Sequence, residues 1–127
     1  MCPLAPDGLA PAEPRALSRS ECLALLRAQG NGRIAYTSEG VLTVVPATFE
    51  LTRGKIQFRA RNLRRLREAL GQVATVQSDG FDQHSGEHWS VCATGFVVSE
   101  GFGDLELEPE LFQGFADLDG EEAARPS

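Results

Sequence analysis

The chain has 127 residues and a net charge of −6. This length suits one domain with its own core and is short for two. No apolar run approaches the roughly 20 residues that cross a bilayer. An acidic chain is also a poor general partner for nucleic acids or acidic membranes. The three cysteines, Cys2, Cys22 and Cys92, are too widely spaced to suggest a disulfide framework or a metal site. We therefore expect a cytoplasmic protein with free thiols and no metal.

The first part of the chain predicts a leader and a helix. Residues 1–16 are rich in Pro and Ala and are expected to form a disordered leader. We assign residues 17–117 to a single domain and residues 118–127 to a flexible tail. Ser18 and Glu21 have the spacing of a capping box, which predicts a helix from Arg19 to Gln29 that stops at Gly30.

The next segments have the period of β-strands. Arg33–Thr37 and Val41–Phe49 are separated by Ser38-Glu39-Gly40, which suits a hairpin turn. Pro46 cannot donate to a ladder, so it belongs to an edge, a bulge or an exposed stretch. Lys55–Ala60 alternates between apolar and polar residues and predicts a further strand.

The second half predicts a short helix and more strands. Asn62 can cap a helix over Leu63–Leu70, and strands are expected at Gln72–Ser78 and Trp89–Ser99, the latter with a bulge at Gly95. Leu105–Phe115 could hold a helix. Short turns imply antiparallel pairing, hence a mainly β (α+β) barrel or sandwich with helices at its ends. Dimerisation would bury more apolar surface for so small a core.

Basic residues are concentrated in one segment. Seven of the twelve lie between Arg53 and Arg67, where no acidic residue occurs. Arg59 ends a predicted strand, and Arg64 and Arg65 begin a predicted helix, where positive charge opposes the helix dipole unless an anion binds. Arginine forks suit phosphate, so we interpret the segment as a phosphate site. The alternative is a solvated helix face whose arginines only aid solubility.

Three other patterns give weaker signals. The stretch VVPATF, residues 44–49, would let a planar ring approach the backbone, but taken alone it favours a plain strand with an edge proline. Trp89 is more typical of a core or interface anchor than of a ligand contact. His84, His88 and Cys92 have helical spacing for a metal, but the β-like run from Trp89 disfavours a helix there.

Taken in order, these segments resemble the pyridoxamine 5′-phosphate oxidase-like flavin-binding split barrels. The similarity covers about Leu17 to Glu100 and is carried by four stretches. They are LSRSECLALLRAQGNGRIAY, VVPATFEL, FRARNLRRL and WSVCATGFVV. The resemblance implies a six-stranded antiparallel split β-barrel with short helices that works as a homodimer.

The resemblance also implies a cofactor and a set of residues that hold it. FMN would be the cofactor, with a deazaflavin or no cofactor as alternatives. The phosphate would be held by the strand end and the helix start, the ring would lie along the proline-containing strand, and the partner subunit would complete the pocket. The implied contacts are Pro46, Thr48, Phe49, Arg59, Ala60, Arg64, Arg65, Trp89 and Ser90. No catalytic acid or base is implied, which suits chemistry centred on a flavin.

Three functions follow as hypotheses. The first is a flavin-dependent oxidoreductase acting on an unidentified small molecule. The second is a non-catalytic dimeric binding module with a lost or weakened cofactor site, favoured by Ala60 and Leu63 where the family has threonine and glycine. The third, nucleic-acid binding through the arginines, is disfavoured by the overall acidity and the lack of interleaved aromatic residues.

Overall fold

The computed structural model describes residues 14–59, 63–100 and 104–118 of the chain, with no side-chain detail at residue 100. These residues form seven strands, two short α-helices and a 3-10 turn. In chain order they are β1 (Arg15–Ala16), α1 (Arg19–Gln29), β2 (Asn31–Ser38), β3 (Val41–Thr52), β4 (Lys55–Phe58), α2 (Leu63–Leu66), the 3-10 turn (Arg67–Ala69), β5 (Val73–Asp82), β6 (Glu87–Glu100) and β7 (Asp104–Leu118).

The strands form one antiparallel sheet whose two ends meet. The order is β1-β7-β4-β3-β2-β5-β6, and β6 also pairs with β7, so six strands close into a ring with β1 added beside β7. Alternate residues point inward and form the core, among them Ile34, Val76 and Leu107, which have no exposed surface. The predicted mainly β, antiparallel architecture with two short helices is confirmed.

Helix α1 begins as the capping box predicts. The Ser18 hydroxyl oxygen accepts from the Glu21 backbone N–H at 3.1 Å, and the Glu21 carboxylate accepts from the Ser18 N–H at 2.9 Å. The helix ends at Gly30 in the left-handed conformation, with φ of 69°. Cys22 and Leu26 are the residues by which α1 joins the core.

The segment after Glu100 differs most from its prediction. Leu105–Phe115 is not a helix but part of β7, the longest strand. Leu105 and Leu107 alternate into the core, and Pro109 would interrupt a helix. Pro109 instead lies opposite Gly95, where the register between β6 and β7 shifts. The irregularity is next to Gly95, but the extra residue is Glu110 of β7 and not Gly95, which was the predicted bulge.

Two smaller boundaries also differ. Arg15 and Ala16, assigned by prediction to the leader, pair with Ala116 and Phe115 of β7. Strand β5 continues to Asp82, beyond the end expected at Ser78, because it pairs with β6 as far as Glu87. The expected cap Asn62 lies outside the described residues. Within the described residues, no helix is long and apolar enough to cross a membrane.

Candidate functional site

Strand β3 has an open edge. Strand β4 pairs with β3 only from Phe49 to Thr52, whereas β2 pairs with the whole stretch from Val41 to Thr48. The Arg59 N–H extends the β4 side by one bond, donating to the Thr48 carbonyl at 2.9 Å. Around Val44, no described strand pairs with the side of β3 that faces away from β2.

The register shows which backbone groups lie on that open edge. Ser38 and Val41 flank one two-residue turn, and Thr52 and Lys55 flank another; such flanking pairs are hydrogen bonded. Odd-numbered residues of β3 therefore bond to β2, and even-numbered ones face β4 or the open edge. Pro46 falls on the open edge, so its missing N–H costs no ladder bond. This confirms the edge interpretation of Pro46.

The open edge offers a mixed set of donors and acceptors. The N–H of Val44 can donate, and its carbonyl can accept. The pyrimidine part of a flavin carries alternating carbonyl and N–H groups. It can therefore form the same hydrogen bonds with this edge as an additional β-strand would. The backbone of this segment therefore fits the group that the sequence resemblance implies.

Arg59 lies at one end of the open edge and is already paired. Its guanidinium forms an ion pair with the Glu50 carboxylate across the hairpin, and both side chains are about half exposed. An anion that binds Arg59 must share the guanidinium with Glu50 or displace it. The sequence did not predict this partner, because Glu50 lies outside the basic segment.

Helix α2 carries Arg64 and Arg65, near the C-terminal end of the basic segment Arg53–Arg67. Both side chains are exposed and form no ion pair with a described residue. The position of the helix is fixed by Tyr36 of β2, whose hydroxyl lies 3.2 Å from the Arg65 carbonyl oxygen and 3.1 Å from Glu68 Oε1. Burial, followed by the Glu68 carboxylate, raises the pKa of Tyr36, which keeps this hydroxyl protonated as a donor.

Arg59 and Arg65 flank residues 60–62, which lie outside the described part of the chain, and each is held by a hydrogen bond. The Arg59 N–H donates to the Thr48 carbonyl. The Arg65 carbonyl accepts from the Tyr36 hydroxyl, and Tyr36 pairs in register with Thr43 of β3. Ala60, a predicted contact, lies outside the described residues. Arg59, one of the predicted phosphate arginines, therefore lies beside the predicted ring-binding strand.

The outer face of the sheet beside β3 carries a groove of about 390 Å³. Pro46 and Thr48 line one wall, and Arg33, Gln77 and Asp79 line the floor and the opposite side. Arg33 pairs in register with both Pro46 and Gln77, so the three side chains form one row across β3, β2 and β5. Arg33, Gln77 and Asp79 were not predicted as site residues. Polar and apolar residues alternate in their strands, which predicts that these polar side chains point outward. That alternation could have identified them as candidates.

The predicted contacts do not all reach this groove. Phe49 is 3% exposed, because odd residues of β3 point inward, and it belongs to the core rather than beside a ring on the outer face. Trp89 is 8% exposed and packs over Gly80, whose Cβ would lie 2.6 Å from the indole. Ser90 lies on the outer face, 3.4 Å from the Gln77 amide nitrogen.

The comparisons with known proteins agree with this architecture. The sequence matches the family described as pyridoxamine 5′-phosphate oxidase over residues 18–123. The chain belongs to this family. A search of curated proteins found no match.

Solved structures with a similar fold include two FAD-binding proteins. The FAD binding protein from Mycobacterium smegmatis has a TM-score of 0.69 and 22% identity, covering 82% of this chain and 98% of its own. An FAD-binding protein from Mesorhizobium loti has a TM-score of 0.65 and 19% identity, covering 83% and 97%. A putative pyridoxamine 5′-phosphate oxidase from Corynebacterium glutamicum has a TM-score of 0.68 and 16% identity, covering 83% and 94%. At these identities the likeness is one of fold.

Proposed function

We propose that this chain is a flavin-binding protein that holds the flavin ring along the open edge of β3 and its phosphate at Arg59, Arg64 and Arg65. The observation that carries the proposal is the open edge itself, which lies between the two ends of the arginine-rich segment. A sheet edge of this kind is normally covered or blocked. A ligand with strand-like hydrogen bonding would cover it.

The residues of the chain would have distinct tasks. The backbone N–H and carbonyl of Val44 would orient the ring, and the arginines would neutralise the phosphate. Bound flavin would supply hydride or single-electron transfer, and the protein would supply orientation and electrostatics. We propose FMN as the cofactor, with FAD or a deazaflavin as variants of the same site, and an oxidoreductase acting on a small molecule as the activity.

We further propose that the protein works as a homodimer. The outer face of the sheet exposes large apolar side chains that a monomer has no reason to leave in water. Leu42 is 71% exposed and Val44 is 52% exposed, and both lie on the outer face of β3. A second copy packed on this face would bury them and would enclose the groove beside Pro46 and Arg33.

One observation favours the alternative, a binding module with a weakened cofactor site. The ion pair between Arg59 and Glu50 already uses one of the three proposed phosphate ligands. In that case Arg64 and Arg65 alone would attract an anion, and affinity for flavin would be low.

A thermal-shift screen with FMN, FAD and a deazaflavin tests the proposal. We expect one of them to raise the melting temperature of the wild type, since a ligand that binds only the native state stabilises it. Arg65→Ala should remove most of that shift, whereas Arg27→Ala, which removes an exposed arginine of α1, should leave it intact. An equal shift in both variants would place the phosphate elsewhere. No shift with any cofactor would favour the binding module.

A further inference from the structure

A second groove, of about 700 Å³, lies on the outer face of β5, β6 and β7. Six outward side chains form two rows across these strands, as the register shows. One row is Asp79, Ser90 and Phe115, and the other is Phe81, His88 and Asp117. The groove adjoins the one beside β3, because Asp79 lines both.

The two rows combine aromatic walls with negative charge. Phe81 and Phe115 are each about half exposed and stand on opposite sides of β6. Their backbones are two strand spacings apart across the sheet and two residues apart along it, about 12 Å in all. The Phe81 ring also lies 4.8 Å from the His88 ring. No lysine or arginine is among the described residues that line the groove, so it would repel a phosphate and attract a cation or a hydrogen-bond donor.

Asp117 provides an independent indication of a ligand. Its Oδ1 atom is buried and has no hydrogen-bond partner among the described residues. Buried polar atoms are nearly always paired, since an unpaired acceptor loses its hydration without compensation. Asp117 lines the groove, so a turn of its side chain would let a donor on a bound molecule reach Oδ1 and supply the missing hydrogen bond.

We propose that this groove binds a flat heteroaromatic ring bearing an amino group, with the ring between Phe81 and Phe115 and the amino group donating to Asp117. Two sources share this chemistry. One is the adenine of a dinucleotide flavin such as FAD, and this source rests on the proposed function. The other is a separate aromatic amine, the substrate, bound beside the flavin.

Adenosine is a suitable probe, because it carries the ring and the amino group without a phosphate. Trp89 is the only tryptophan of the chain and lines the groove, so its fluorescence can report binding. We expect a saturable change in the wild type. Asp117→Asn should weaken binding about tenfold or more, the size expected for a hydrogen bond to a charged group. Phe81→Ala should weaken it to a similar degree.

Matched controls are available on the same strands. Phe96→Ala removes a similarly exposed phenylalanine of β6, and Glu110→Gln neutralises an exposed carboxylate of β7; neither residue lines the groove. Both should bind adenosine as the wild type does. The absence of adenosine binding, or binding that is equal in all variants, would overturn the proposal. A Phe81→Ala protein that loses only self-association would overturn it by showing that a second copy fills the groove.

Comparison of FMN with FAD separates the two sources. If adenine is the occupant, FAD should bind at least tenfold more tightly than FMN, and Asp117→Asn should remove the difference. If a separate amine is the occupant, FAD and FMN should bind equally while adenosine still binds. Adenosine binding without flavin binding would refute the proposed function and leave this groove in place. Flavin binding without adenosine binding would support the proposed function and overturn the proposal for this groove.

Discussion

In the proposed site, Glu50 would compete with the flavin phosphate for Arg59, and removal of its charge should tighten flavin binding. In Glu50→Gln the carboxylate that pairs with Arg59 becomes neutral, and the guanidinium is left to the incoming anion. Both side chains are about half exposed, so the pair is worth only about 0.2–1 kcal/mol. The gain in affinity for FMN should therefore lie between about 1.4-fold and about fivefold. The free energy of unfolding should fall by no more than about 1 kcal/mol.

Titration of FMN, followed by the quenching of its fluorescence, measures the affinity directly. Glu110→Gln makes the same charge change on an exposed residue of β7, and controls for the overall loss of one negative charge. The gain in Glu50→Gln should also shrink at high salt, as expected for exposed charges. Equal affinities in wild type and Glu50→Gln, or equal gains in both variants, would refute the assignment of Arg59 to the phosphate.

Three further predictions concern stability. Gly95→Ala would place a Cβ atom 1.8 Å from the Glu108 carbonyl oxygen, so the β6–β7 bulge must shift, and urea unfolding should show a loss of at least about 2 kcal/mol. Ser18→Ala removes the capping box of α1 and should cost about 1 kcal/mol in the same assay; a cost near zero would show that packing alone fixes the helix start. The Ser18 backbone N–H and Arg15 lower the pKa of Glu21, and Arg15 lowers that of Glu87, so stability should be full above their ordinary value of 4.5 and fall as pH drops below it. Arg15→Gln should reduce this acid sensitivity, and an unchanged pH profile would contradict it.

Local signals were enough to predict most of the fold. The capping box at Ser18 and the two-residue turn at Glu39-Gly40, where both residues have positive φ, follow rules that involve only neighbouring residues. The identity of β7 depends on more distant contacts. The apolar residues Leu105 and Leu107 are compatible with both a short helix and a strand. The strand forms because this segment pairs with β6 and β4.

The candidate site was predictable only in part, for a similar reason. The arginines of α2 and Pro46 could be identified from charge and from the missing N–H. The Glu50 partner of Arg59 and the row from Pro46 through Arg33 to Gln77 depend on strand register, which a single strand does not reveal. The inward direction of Phe49 follows from the same register.

Amide hydrogen exchange at two neighbouring residues tests the central claim, flavin on the open edge of β3, most directly. The Val44 N–H lies on the open edge, whereas the Val45 N–H faces β2, its partner strand. With saturating FMN, exchange at Val44 should slow markedly while Val45 keeps its rate. If FMN saturates the protein and the Val44 amide exchanges as fast as before, the ring does not lie on this edge.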